Sequence, residues 1–359
     1  MNCDPKRVTL GGLSAGAFSA HVQLNFELLH GDDQKPLFSN VWLQSNAIPA
    51  QPKTIDEGKS PAMASLYCYL PNLADNQLQN VLSTFDISEH LSSKERLDRL
   101  RDVPASALVK KIFDFDIHTF RGVTDDEMVP SDLISNIRSG VFATRFKTRG
   151  IRILLGEAES EEALYALTNP PPTSSSKDML HALNNYYASS VCEDLLSLYT
   201  SEGPTADARI ESALTDNDTS KKAKRLFGLI TSDVQVRAPI RILSKALYDG
   251  GVPPDRILRY RVAYRPECTD KVYPRSFGVT HGADGLSWWY IERYGFSDQE
   301  RNRIKNWLGE TLIPLVTGDA SGEKKLRLDE FLHFKENGKI EVTKDAHWPW
   351  LMRVSEKLG

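Results

Sequence analysis

Two hydrophobic rhythms run along the chain. Short runs rich in β-branched and apolar residues at 7–10, 41–45, 151–156 and 257–264 predict strands. Helical spacing of apolar positions predicts helices over 17–29, 55–69, 76–84, 92–101, 132–146 and 298–316. Ser92-Ser93-Lys94-Glu95 has the form of a capping box, and Ile304, Trp307, Leu308, Leu312 and Leu315 fall on one face of the 298–316 helix. The run 117–121 is strand-like and is followed by a turn at 124–126. Apolar strands alternating with helices along the chain predict a mainly parallel sheet covered by helices on both faces. In such a sheet the reactive groups gather at the carboxyl ends of the strands. The stretch from Asn169 to Ser176, with three consecutive prolines, is linker-like and opens a helical region reaching about Tyr248. That region, 170–250, is read as a helical insertion or cap within one α/β domain spanning 1–359. No internal repeat is visible.

Composition narrows the class of function. The 359 residues are 40% hydrophobic and 26% charged, with 44 basic against 48 acidic residues and a net charge of -4. Such a chain can bury a large core, and its charge balance gives no general attraction to nucleic acid. No apolar run approaches the ~20 residues that span a bilayer. Cys3, Cys68, Cys192 and Cys268 lie far apart, without the paired spacing of a zinc site or a disulfide scaffold. The opening residues show no basic segment followed by an apolar stretch, so the chain as written is expected in the cytoplasm. A longer true N-terminus would allow secretion.

Candidate chemistry starts at Gly12-Leu13-Ser14-Ala15-Gly16, a Gly-x-Ser-x-Gly pattern between a predicted strand and a predicted helix. There a serine sits on a strained turn. The alternative is a glycine- and serine-rich turn that only caps the helix at Ala17. A serine nucleophile needs a histidine base, itself oriented by a carboxylate. His281 is the candidate, on the glycine-flanked loop Gly278-Val279-Thr280-His281-Gly282-Ala283-Asp284 beyond the last strong strand. The other histidines are less well placed: His21 and His30 lie on the first helix and His118 in the strand-like run. His90, His181 and His333 lack turn context, and His347 neighbours Trp348.

These segments together resemble the type-B carboxylesterase/lipase family of α/β-hydrolases, which includes cholinesterases; the likeness is greatest to fungal members. It extends through 4–10, 41–45, 120–125 and 153–156. The resemblance implies an α/β-hydrolase fold with a Ser-Glu-His triad. In the family's pattern the acid follows a strand ending in glycine, and aligning Gly156 and Leu164-Tyr165 puts it at Glu161, with Glu159 and Glu162 one or two positions away. Two departures stand out. Leu13 replaces the glutamate that many members carry, and the elbow begins at residue 12, so the N-terminal strands and the glycine loop that supplies oxyanion donors are expected to be missing. Of the oxyanion donors only the N–H of Ala15 remains, and each lost donor costs about 10²–10³ in turnover. An open sheet edge would also favour self-association.

The expected function is therefore a serine carboxylic ester hydrolase acting on a small-molecule ester, with no metal or organic cofactor. The alternative is a catalytically impaired or non-catalytic relative, or a truncated gene product. Lesser expectations are that Trp288-Trp289-Tyr290 lies in the core or lines a pocket, that 221–225 is a solvated basic face, and that Asp233 caps a helix or supports the histidine loop.

Overall fold

The computed structural model describes residues 7–32, 35–48, 73–116, 118–120, 122, 124, 126–201, 207–215, 217–291, 293, 295–318 and 325–358. The expected helix at 55–69, Cys3 and Cys68 lie outside them, as do parts of the 4–10 and 120–125 segments. Six strands form one sheet: β1 (Thr9–Leu13), β2 (Asn40–Gln44), β3 (Arg152–Ala158), β4 (Ile257–Val262), β5 (Glu330–Phe334) and β6 (Ile340–Lys344). Each strand pairs with its successor in the sequence. All pairings are parallel except β5 with β6.

Strand geometry sends successive side chains to opposite faces. Val41, Leu43, Ile153 and Leu155 therefore enter one apolar layer, and Trp42, Leu154, Tyr260 and Val262 enter the other. The first layer is covered by α1 (Ala15–His30), the helices at 133–148, and the long helical run α3 (Thr219–Ser232) and α4 (Ala238–Asp249), with α7 (Trp348–Ser355) at its end. The second is an aromatic layer in which Trp42, Tyr260, Trp288, Trp307 and Phe334 stack or meet edge to face. Two short helices adjoin the reactive loops, α2 (Glu162–Tyr165) and α5 (Gly285–Trp288), and α6 (Asp298–Glu310) carries Trp307.

Several expectations change in detail. The stretch 132–146 is two helices, broken at Gly140 with φ 85°, and 298–316 breaks at Thr311. Residues 118–120 are not strand. The capping box at Ser92 and Glu95 is present. The sequence reading passed over β5 and β6, although Asn337-Gly338 between apolar runs is a strong hairpin signal and Gly338 takes φ 82°. No helix among the described residues is long and apolar enough to cross a membrane.

Candidate active site

Ser14 stands at the carboxyl end of β1 with φ 58° and ψ -121°, a conformation that L-residues rarely hold. Its N–H donates to the Gln44 carbonyl at 2.9 Å, and its own carbonyl accepts from Ala17 N at the start of α1. The strand and the helix thus fix the turn from both sides. Gly12 makes this possible, because a Cβ there would lie 2.1 Å from the Gly16 carbonyl oxygen. Gly16 has nothing within 4 Å of such a Cβ, so close packing requires glycine at position 12 but not at 16. Ala15 is exposed, and its N–H lies in the first turn of α1, where helical bonding leaves donors free.

Glu161 lies three residues beyond β3, fully buried. One carboxylate oxygen, Oε1, accepts from Ala158 N at 2.8 Å, and the other, Oε2, meets His281 Nδ1 at 2.6 Å. Of the glutamates in this run, Glu161 is the one that reaches the histidine. Glu157 instead binds Arg241 and Arg261, Glu159 lies near Arg261 and His333, and Glu162 binds Arg237.

His281 occupies a loop stitched to the glutamate turn: Ser160 N donates to the Val279 carbonyl at 2.9 Å, and Arg265 bonds the Gly278 carbonyl. The Tyr165 ring meets the imidazole edge to face at 5.1 Å. Burial alone would lower the His281 pKa, but the charge and hydrogen bond of Glu161, aided by Asp284, outweigh it and raise the pKa above 6.5. The histidine loop also reaches the serine turn, since a Cβ on Gly282 would lie 3.6 Å from Leu13 Cδ2. Among the described residues no hydrogen bond joins Ser14 Oγ to His281. Glu161 and His281 are thus directly joined, and the loop that carries His281 approaches the strand end that carries Ser14 at Gly282 and Leu13.

The family's sequence pattern, described as "Carboxylesterase family", matches residues 1–318. The chain belongs to the carboxylesterase family. An uncharacterized esterase/lipase of Schizosaccharomyces pombe is 32% identical over 355 residues, 99% of this chain and 60% of that protein. A protein named carboxylic ester hydrolase from Gibberella moniliformis is 30% identical over 350 residues, 96% of this chain and 59% of that one. The chain thus spans about 60% of the length of the curated relatives it matches. Its six strands flanked by helices fit the α/β-hydrolase fold of the family.

The sequence reading missed two side chains near this family site. Asp284, three residues after His281, is buried; Oδ2 accepts from Trp288 Nε1 at 2.8 Å, while Oδ1 is buried without a hydrogen-bond partner. Burial, then the charge of Glu161, pushes its pKa up to about 6. Arg237 is the second; its guanidinium reaches the Glu159 carbonyl and the Glu162 carboxylate. Asp233 does not support the histidine loop. It accepts from Tyr199, Arg209, Arg237 and Trp350 in a buried ionic cluster on the other side of the glutamate turn. Trp288 is core, whereas Trp289 is 63% exposed and lies against Trp42. Among the described residues no group of three His, Cys, Asp or Glu is arranged to hold a metal. A cleft of about 520 Å³ opens elsewhere on the surface, lined among others by Phe113, Phe115, Pro170, Asn185 and Tyr186.

Proposed function

We propose that the chain carries the nucleophile, base and acid of a carboxylic ester hydrolase that acts on small-molecule esters through an acyl-enzyme. The observation that carries this reading is the buried contact of 2.6 Å between Glu161 and His281, on a loop packed against the strained Ser14 turn. In this reading the Glu161 carboxylate accepts from His281 Nδ1–H, leaving Nε2 as the base. His281 takes the Ser14 proton as Oγ attacks the ester carbonyl, then returns it to the departing alkoxide. Ala15 N–H stabilises the charge that develops on the carbonyl oxygen. Water, deprotonated by His281, then releases the acid and restores the serine. We read residues 1–359 as one hydrolase domain, with 170–250 a helical insertion. The non-catalytic alternative is not favoured, because a chain released from catalysis has no need to keep a buried carboxylate–imidazole pair beside a strained serine.

The test is fluorophosphonate labelling and turnover of p-nitrophenyl butyrate by the full chain and by Ser14→Ala. Labelling should vanish in the variant, and turnover should fall by at least about 10⁴-fold. The acid limb of the pH profile should lie above 6.5, as the raised His281 pKa requires. Equal turnover in parent and variant, or labelling of neither, refutes the reading.

A further inference from the structure

The glutamate turn is held by a side chain from a distant helix. The run from 219 to 249 is helical throughout, but Pro239 lacks an N–H and its ring would press on the carbonyl four residues earlier. The chain relieves this with a π-helical turn, Asp233–Arg237, closed by a bond from Ala238 N to the Asp233 carbonyl. This turn delivers Arg237, whose side chain is 3% exposed, to the far side of the Glu161 turn. Nη2 donates to the Glu159 carbonyl at 3.2 Å and to Glu162 Oε2 at 2.6 Å, while Nη1 donates to Ser232 Oγ at 2.9 Å and Asp233 Oδ1 at 3.1 Å. One rigid guanidinium therefore grips the chain on both sides of Ser160 and Glu161 and ties it to the π turn. Flexible lysine could not reproduce the fork.

We propose that Arg237 is a positioning residue for the acid of the triad: by clamping Glu159 and Glu162 it sets the reach of Glu161 to His281 Nδ1. This rests on the reading of Glu161 as that acid. The groups that face Arg237 are Glu162 from α2, Asp233 and Ser232 from its own helical run, and Glu157 from β3, with Arg209 and Arg241 nearby as like charges. Those that face His281 are Glu161, Asp284 and the Tyr165 ring. If the turn slackens, Glu161 holds the imidazolium less well, and the imidazole midpoint must fall toward the ordinary 6.5.

The experiment is an NMR titration of the His281 imidazole in the full chain, with thermal unfolding and ester turnover measured on the same samples. Arg237→Met should lower the His281 midpoint and reduce kcat by about 10²-fold with KM little changed, as a misplaced catalytic group does. Arg237→Lys should restore part of both. Glu162→Gln, at a side chain 31% exposed, should fold and move both readouts in the same direction by less, so it keeps the test decisive even where Arg237→Met does not fold. A midpoint unchanged in the folded variants, with only thermal stability lost, would make Arg237 a structural residue and overturn the proposal. The titration needs no turnover, so it separates this proposal from the esterase reading. Glu161→Gln leaving the His281 midpoint in place would count against Glu161 as the acid, not against the clamp.

Discussion

His21 and Asp284 are both buried, and each perturbs stability over the same stretch of pH with opposite sign. His21 stacks on Phe142 with both ring nitrogens unpartnered, and burial lowers its pKa to about 3. The unfolded chain protonates this histidine near 6.5, so stability is lost as pH falls from 6.5 to 3, by about 5 kcal/mol in full. Asp284 is the reverse case. Its folded pKa of about 6 exceeds the ordinary 3.8, so its contribution is complete below 3.8 and lost as pH rises through 6, by about 3 kcal/mol. Urea unfolding at pH 4 and pH 7 should separate them: His21→Phe should remove much of the loss at pH 4, and Asp284→Asn should gain stability at pH 7 relative to pH 4. A parent and variants with parallel pH dependences would refute both assignments. Ser14, Glu161 and His281 were legible in the sequence as candidates, because each sits beside glycine or in a strand-to-helix transition. Arg237 and Asp284 were not, since a buried arginine and a buried aspartate look like surface residues until the fold encloses them.

At the scale of elements, the C-terminal hairpin is fixed to the sheet by one carboxylate. Asp345, directly after β6, accepts from Arg241 of α4 and Arg259 of β4, while Glu157 of β3 binds Arg241 and Arg261. All five side chains are at most 9% exposed. Removing one member strands the others' charge in the interior. Asp345→Ala should therefore cost about 3–5 kcal/mol in chemical denaturation. A loss under 1 kcal/mol would show that the arginines find other partners. The arginines outweigh burial and hold the Asp345 pKa at about 2, so its share of stability is present above 3.8 and disappears as pH falls through 2. The parallel strands were legible as short runs rich in β-branched and apolar residues, whereas these ion pairs join positions 84 to 104 residues apart that no periodicity relates. Asn337-Gly338 carried the hairpin in plain chemistry, although the strands on either side of it are short and mix charged with apolar residues.

For the whole molecule, β1 is one of the two edges of the sheet. Among the described residues no strand pairs with its outer edge, and Gly11 on it is exposed. Unpaired N–H and C=O groups in such a row can accept another strand, which makes self-association through β1 a testable expectation. Sedimentation velocity across a concentration series should show assembly that Thr9→Lys weakens, because a charge on an edge strand discourages pairing. A monomer at every concentration, or assembly indifferent to Thr9→Lys, would place the contact elsewhere or dismiss it.

The strand order has its own consequence. Because every strand lies beside the one that follows it in the sequence, the sheet can assemble in the sequence in which a ribosome releases it, each new strand finding its seat already built. The hairpin of β5 and β6 arrives with Asp345, whose carboxylate neutralises arginines already set in α4 and β4. Docking of that hairpin and burial of those charges are thereby made one event.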